Sequence, residues 1–386
     1  MSQLRYIETV ASAALIALIV GSTNANAFKI GSAFSDPCHE SITLKGFFGN
    51  DNLEGGQILL PAGIYDGAAA NQSATWLQIA QYLETQLDYT FQSDFERFLG
   101  ITLFIGVRYP DQANFAITDI NNLRDIHLAV EGQEEHALRA VGHDFDPGNE
   151  EAVIEIRKYI REVVDEAYEA FQGSRPAGGA AITQSSLKRQ TVRVGFWLDF
   201  YGTVDVEVWR PLFLMGKAAH AIQDSFAHTY RSGDTGTIYA VGNFVEAMST
   251  EYSESRDGPR HSDKIDDCTD PQVLPLVSSA IGATRSLFFA FRDYLAAPLN
   301  DAAAVQAASD HIDLVIAQST AFQDDCGFEN NYCETPWVAL AREAETMPLL
   351  GCVSSNATTW LLTLSGLIGI RWYLRRRQIE TGKNEA

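Results

Sequence analysis

Three residues with metal-ligand chemistry stand four apart in the stretch from Gly216 to Arg231: His220, Asp224 and His228. Imidazole nitrogen and carboxylate oxygen are common ligands of divalent metals. At about 100° per residue, two steps of four drift only about 80° around a helix axis, so on one helix all three would face one cleft. Ala221, Ile222, Phe226 and Ala227 lie between them, and Leu212, Phe213, Leu214 and Met215 precede them. Such a segment is apolar enough to be buried. Burying two imidazoles and a carboxylate without partners is costly, so a metal ion or a complete hydrogen-bond network is the expected compensation. A helix that showed these residues to water would have almost no other polar surface there.

The elements that would carry this stretch are mostly helical. Apolar residues recur at helical spacing over 76–99, 149–171, 211–230, 273–295, 302–322 and 337–345. The second of these has an entry signal, with Asp146 and Pro147 ahead of it and Glu150 and Glu151 in its first turn. Strand-like alternation is confined to 191–201 and, more weakly, 57–61. Residues 174–186, rich in Gly, Pro, Ala and Ser, read as a surface loop. The expected fold is mainly α, one helical domain around a cleft with a small β insertion near residue 190.

The two ends read differently from the middle. Residues 1–27 have Arg5, an apolar run from Ala11 to Val20 and the ending Ala-Asn-Ala, the pattern of a secretory signal cut after Ala27 to leave Phe28 first. The domain expected is 28–350. In 351–386, Gly351-Cys352 is followed by an apolar run and then Arg371, Arg375, Arg376 and Arg377. The run from Trp360 to Leu374 is shorter than the roughly 20 residues of an ordinary spanning helix. Between positions 28 and 352 the chain keeps 22 Lys and Arg against 47 Asp and Glu, a net charge of −25. That field repels polyanions and offers no basic stripe, so duplex nucleic acid is not an expected partner. Four cysteines remain once Cys352 is assigned to the tail. In an exported chain they are expected as disulfides; of the three possible pairings the favoured one joins Cys326 to Cys333 across a short polar loop, which leaves Cys38 with Cys268.

The stretch His-x-x-x-Asp at 220–224 resembles the core of the zinc-dependent phospholipases C and the related single-strand-specific zinc nucleases. The resemblance implies an all-helical domain with two to three zinc ions at the bottom of a cleft, Asp224 bridging two of them, and His220 and His228 on different ions. It carries over in order to His39, in Cys-His-Glu-Ser at a helix start, and to Asp111, in Arg-Tyr-Pro-Asp. Asp111 would be held rigidly by a turn and would act as the base or orient the attacking water. One further histidine follows in that order, with His143 in His-Asp-Phe-Asp-Pro ranked first, then His136, then His127. His261 and Asp266 are the nearest pair for the last site, with Glu246 a spare carboxylate. His311 lies outside the order and is expected to be solvated. The mature N-terminus is a further ligand in family members with Trp there, where this chain offers Phe28.

The tail resembles sorting tails of the myxosortase type, which implies transient membrane anchoring, a sorting protease as partner, and a place in the periplasm or at the surface of a Gram-negative-type bacterium; the alternative is a permanent single-span anchor. The activity expected is phosphodiester hydrolysis of the phospholipase C type, with phospholipid as substrate. The alternatives are a zinc single-strand nuclease or nucleotidase, and a non-catalytic surface binding protein on the same scaffold.

Overall fold

The computed structural model describes residues 37–49, 74–116, 119–145, 147–175, 188–198, 202–249, 251–262 and 264–345. The readings of the leader 1–27, of Phe28, of the strand 57–61, of most of the loop 174–186 and of the tail 351–386 lie outside the described residues. By its contacts the chain divides into two units, Met1–Asn24 with Arg342–Ala386, and Ala25–Ala341.

In chain order the elements are α1 (Cys38–Phe48), α2 (Ala74–Gln86), α3 (Asp94–Gln112), α4 (Ile120–His127), α5 (Gly148–Ser174), a hairpin of β1 (Thr191–Leu198) and β2 (Gly202–Trp209), α6 (Arg210–Ala227), β3 (Thr229–Arg231), β4 (Ile238–Val241), α7 (Leu274–Ala296), α8 (Ala302–Ser319) and α9 (Pro336–Glu345). The protein is mainly helical, and α6 is its axis, packed against α3, α5 and α7. Every residue from Pro211 to Ala227 except Lys217 is buried. A helix hydrophobic nearly all round belongs in a core, and α6 is started by Pro211, whose missing N–H costs nothing in a first turn.

The expected helix over 76–99 is two helices. Ser93 ends the break between them: its hydroxyl accepts from Glu96 N at 3.1 Å, and the Glu96 carboxylate accepts from Gln92 N at 2.8 Å. This is a helix start written as Ser-x-x-Glu, with the glutamate reaching back one residue beyond the capping serine. The Tyr-Pro-Asp segment, expected as a turn, lies inside the last turn of α3. Pro110 has no N–H to give to Gly106, one turn back, so the ladder is open there. The position is tolerated because the helix ends two residues later.

Gly106 and Gly216 decide how closely α3 and α6 approach. A Cβ on Gly106 would lie 2.3 Å from the Phe213 carbonyl oxygen, and one on Gly216 would lie 2.7 Å from the Gly106 Cα. No L side chain fits either position. The close crossing is what brings the Val107 carbonyl within 2.8 Å of His220 Nδ1.

The β insertion is an antiparallel hairpin with Thr191 opposite Trp209 and Leu198 opposite Gly202. Phe196 and Leu198 are buried, and Phe196 meets Phe104 of α3 edge-on at 5.6 Å. The predicted strand ends three residues early, and its partner β2 was not anticipated. Helix α6 also stops short of the predicted end: His228 caps it, and the chain turns into β3, which pairs with β4.

Both expected disulfides form, Cys38–Cys268 and Cys326–Cys333, with Cα separations of 5.8 and 5.1 Å. Among the described residues one helix, α7, is long and apolar enough to cross a membrane. Here Leu276, Ala280, Leu287, Phe288 and Phe291 on it are part of the core.

Candidate metal centre

His220 and Asp224 lie on α6, Asp111 at the end of α3, and His136 on a short 3-10 turn, Gln133–His136. One ligand atom from each lies within 4.8 Å of all the others, and all four residues are buried. Three fixtures hold the turn in place. The Gln133 amide donates to the carbonyls of His127 and Ala129 at 3.0 and 2.7 Å, tying it to the end of α4. Glu135 is held by Lys217 of α6 and by the Tyr159 hydroxyl of α5, each at 2.8 Å.

The distances inside the group fit an ion. Two ligands about 2.1 Å from a tetrahedral metal stand roughly 3.4 Å apart. His136 Nδ1 is 3.4 Å from Asp111 Oδ1, 3.7 Å from Asp224 Oδ2 and 3.4 Å from His220 Nε2. His220 Nε2 is 3.6 Å from Asp111 Oδ1 and 2.9 Å from Asp224 Oδ2. His39, on α1, approaches the other oxygen of each carboxylate, with Nε2 3.1 Å from Asp224 Oδ1 and 3.8 Å from Asp111 Oδ2. Both aspartates therefore have the disposition of bridging ligands, one oxygen toward His136 and His220 and the other toward His39.

The proton positions point the same way. His220 Nδ1 faces the Val107 carbonyl at 2.8 Å and His127 Nδ1 the Leu123 carbonyl at 2.8 Å. His228 Nδ1 faces the His136 carbonyl. A carbonyl only accepts, so each Nδ1 carries a hydrogen and in the neutral ring the Nε2 lone pair is bare. For His220 and His127 that lone pair points at a carboxylate, an acceptor facing an acceptor. With the rings neutral, Asp224 Oδ1 and Oδ2, Asp111 Oδ2 and His228 Nε2 are buried without a hydrogen-bond donor. The Asp111 and Asp224 ligand oxygens lie no more than 4.8 Å apart, and two carboxylates that close repel by at least about 3.5 kcal/mol at an effective dielectric of about 20. A cation between them removes both defects.

Protons are the other source of positive charge. Burial alone would lower His39 and His136, but Asp224 and Asp111 outweigh it and raise them to about 9 and about 10. Burial would raise the two aspartates, and the surrounding rings, His220 first, hold both well below the usual carboxylate range. His228 behaves oppositely: burial, helped by its histidine neighbours, pushes it down to about 3 against the pull of Asp224. It is a neutral ring.

His228 belongs to a second group with His261 and Asp266, again within 4.8 Å. His261 Nε2 is 3.0 Å from Asp266 Oδ2, and His228 Nε2 is 4.0 Å from Asp266 Oδ1. This group is built on loops. His261 N donates to the Asn243 carbonyl at 3.1 Å, and Gly242 N donates to the His228 carbonyl at 2.7 Å. Asp266 is two residues from Cys268, whose disulfide partner Cys38 adjoins His39. The two groups touch, since His228 Nδ1 lies 3.8 Å from Asp224 Oδ2.

Of the expected ligands, the structure brings together His39, Asp111, His136, His220 and Asp224, and separately His228, His261 and Asp266. It does not bring in His143, ranked first among three: its Nε2 is 3.5 Å from Glu155 at the surface. The Arg139 guanidinium holds the carbonyls of His143 and Phe145 and fixes that loop away from the cluster. His127, ranked last, is buried beside Asp111 at 3.4 Å and stacks on His136. Only one of the three was expected at the site, but Gln133 ties two of them together. Glu246 is bound to Asn243 Nδ2 at 2.5 Å, and His311 is exposed. Sequence reasoning passed over Gln223, a fully buried amide between His220 and Asp224. Its signal was a polar residue inside an apolar run. No family model matches the chain, and neither does any curated protein or solved structure.

Proposed function

We propose that this protein is an exported zinc-dependent phosphodiester hydrolase of the phospholipase C type. The observation that supports it most is the set of buried rings and carboxylates in which Asp111 and Asp224 each turn one oxygen toward His136 and His220 and the other toward His39. Imidazole with carboxylate suits zinc among the common metals, and the resemblance at 220–224 points to the same ion. His39, Asp111, His136, His220 and Asp224 would hold the first ions, and His228, His261 and Asp266 a further one.

Zinc bound there supplies charge for phosphoryl oxygens and makes water a stronger acid, with a pKa near about 7. The chain's own contribution is placement. Asp111 Oδ1 is ringed by His127, His136 and His220, which fixes the carboxylate to act as the base or to orient the attacking water. The buried helix α6 keeps bulk water from the group behind it. The acidic surface opposes a polyanionic strand and hardly penalises a zwitterionic headgroup.

The test is a paired assay of the zinc-loaded protein at moderate salt. Release of phosphorylated headgroup from phosphatidylcholine or phosphatidylethanolamine micelles should exceed cleavage of single-stranded DNA. Rapid cleavage of the DNA with intact lipid would replace this reading by a nuclease. Zinc binding with neither activity would leave a binding protein.

A further inference from the structure

His39 differs from the other anchored histidines in one respect. Its Nδ1 faces a side chain, Gln223 Oε1 at 2.7 Å, where His220, His127 and His228 each face a backbone carbonyl. A carbonyl has only one way to bond. An amide has two, because turning it over exchanges an acceptor for a donor. Which way Gln223 points therefore decides which nitrogen of His39 carries the hydrogen.

With Oε1 toward His39, the ring that has given up one proton to make way for a metal keeps the other on Nδ1, and its Nε2 lone pair faces Asp224 Oδ1 at 3.1 Å and Asp111 Oδ2 at 3.8 Å. That is a ligand set waiting for a cation. With Nε2 of the amide toward His39, the proton moves to the ring's Nε2 and donates straight to Asp224 Oδ1. The ring would then lock the bridging carboxylate in a hydrogen bond and could not serve as a ligand through that atom.

Two threonines oppose the second arrangement. Gln223 Nε2 donates to Thr43 Oγ1 at 2.7 Å and to Thr284 Oγ1 at 3.4 Å, one hydroxyl on α1 and the other on α7. A threonine hydroxyl within a helix can turn its own proton to the carbonyl one turn back, which leaves its lone pairs for a donor. The two amide hydrogens then have two acceptors, and only Oε1 remains for the ring. Gln223, Thr43, Thr284 and His39 are all fully or almost fully buried, so water does not substitute for any of them.

We propose that Gln223 is a positioning residue that fixes the tautomer of His39 and thereby makes it a zinc ligand, with Thr43 and Thr284 fixing Gln223. The proposal rests on the zinc reading above. Outer-shell partners of metal-bound histidines typically contribute about 10–100-fold in metal affinity.

The experiment compares Gln223→Glu and Gln223→Met with wild type by zinc competition against a chelator, using the full chain. Glutamate presents only acceptors to His39, and the threonine hydroxyls can rotate to donate to it. It should keep the wild-type affinity or tighten it. Methionine has a similar length and no strong acceptor, and should weaken the ion held by His39 by about 10–100-fold. Long-range proton–nitrogen correlation spectra of the zinc-loaded wild type should show the His39 proton on Nδ1. A proton on Nε2, or a glutamate variant that binds zinc less well than the methionine variant, overturns the assignment while leaving the metal centre standing. If methionine fails to fold, the glutamate variant and the spectrum decide alone. Wild type that binds no zinc at all refutes the metal reading and this inference with it.

Discussion

The two ligand groups are built in opposite ways. In the first, Asp111, His220 and Asp224 project from two helices that cross at Gly106 and Gly216, and the rings are held by a carbonyl or an amide. In the second, His228 is a helix cap, and His261 and Asp266 lie on a loop tied down by the Cys38–Cys268 disulfide and by the hydrogen bond from His261 N to the Asn243 carbonyl. Helices position side chains through the packing of a whole surface, whereas a loop is only as fixed as its few tethers. The first group should therefore resist changes around it, and the second should depend on its bond to Cys38.

The largest effect should come from Asp224→Asn, which removes a charge that faces both His220 and His39. Elemental analysis should show the loss of at least one metal ion per chain, and activity should disappear, while far-UV circular dichroism stays helical because α6 is held by its apolar faces. Unchanged metal content would mean that this face of α6 is not the site.

Replacing Cys38 and Cys268 together by alanine should cost about 2–5 kcal/mol of stability in denaturant unfolding. The same variant should lose metal from the His228, His261 and Asp266 group before the other. Equal weakening of both groups would contradict the contrast drawn between them.

Protonation separates the groups as well. In the metal-free protein His39 and His136 are raised from 6.5 to about 9 and about 10. Their charged forms stabilise that state fully below about pH 6.5, and this is lost as pH rises through 9 to 10. Metal must displace those protons, so loading at pH 7.5 should release about two, and apparent affinity should climb until about pH 10. His228, lowered to about 3, should release none. Calorimetry in buffers of different ionisation enthalpy measures the count, and a count near zero would mean that the first rings are neutral before metal arrives.

The smallest effect belongs to His143→Ala. The ring pairs at 3.5 Å with a half-exposed Glu155, and surface pairs contribute about 0–1 kcal/mol. Metal content should not change, and a loss of metal would bring His143 back as a ligand.

Helical class, a β insertion near residue 190, both disulfides and the pairing of His220 with Asp224 follow from the sequence, because each rests on local spacing or on elimination among a few cysteines, whereas the strand that completes the hairpin does not. Counting fours places His228 on the face of His220 and Asp224; the helix ends at Ala227, and the ring, held by the His136 carbonyl, stays 3.8 Å from Asp224 while joining His261 and Asp266. Where a helix ends under a β-strand pairing such as Thr229 with Val241 is set by the partner strand, with that partner residue twelve positions further on. The choice among His127, His136 and His143 was likewise beyond local pattern. It was decided by Gln133 bridging two segments and by Arg139 holding a third apart. The same is true of His39: its place beside Cys38 was readable, but its tautomer depends on an amide and two hydroxyls from three helices. Spacing along the chain fixes which residues share a face of one helix. Which faces meet, and which nitrogen carries a proton when they do, is decided only by packing between segments far apart in sequence.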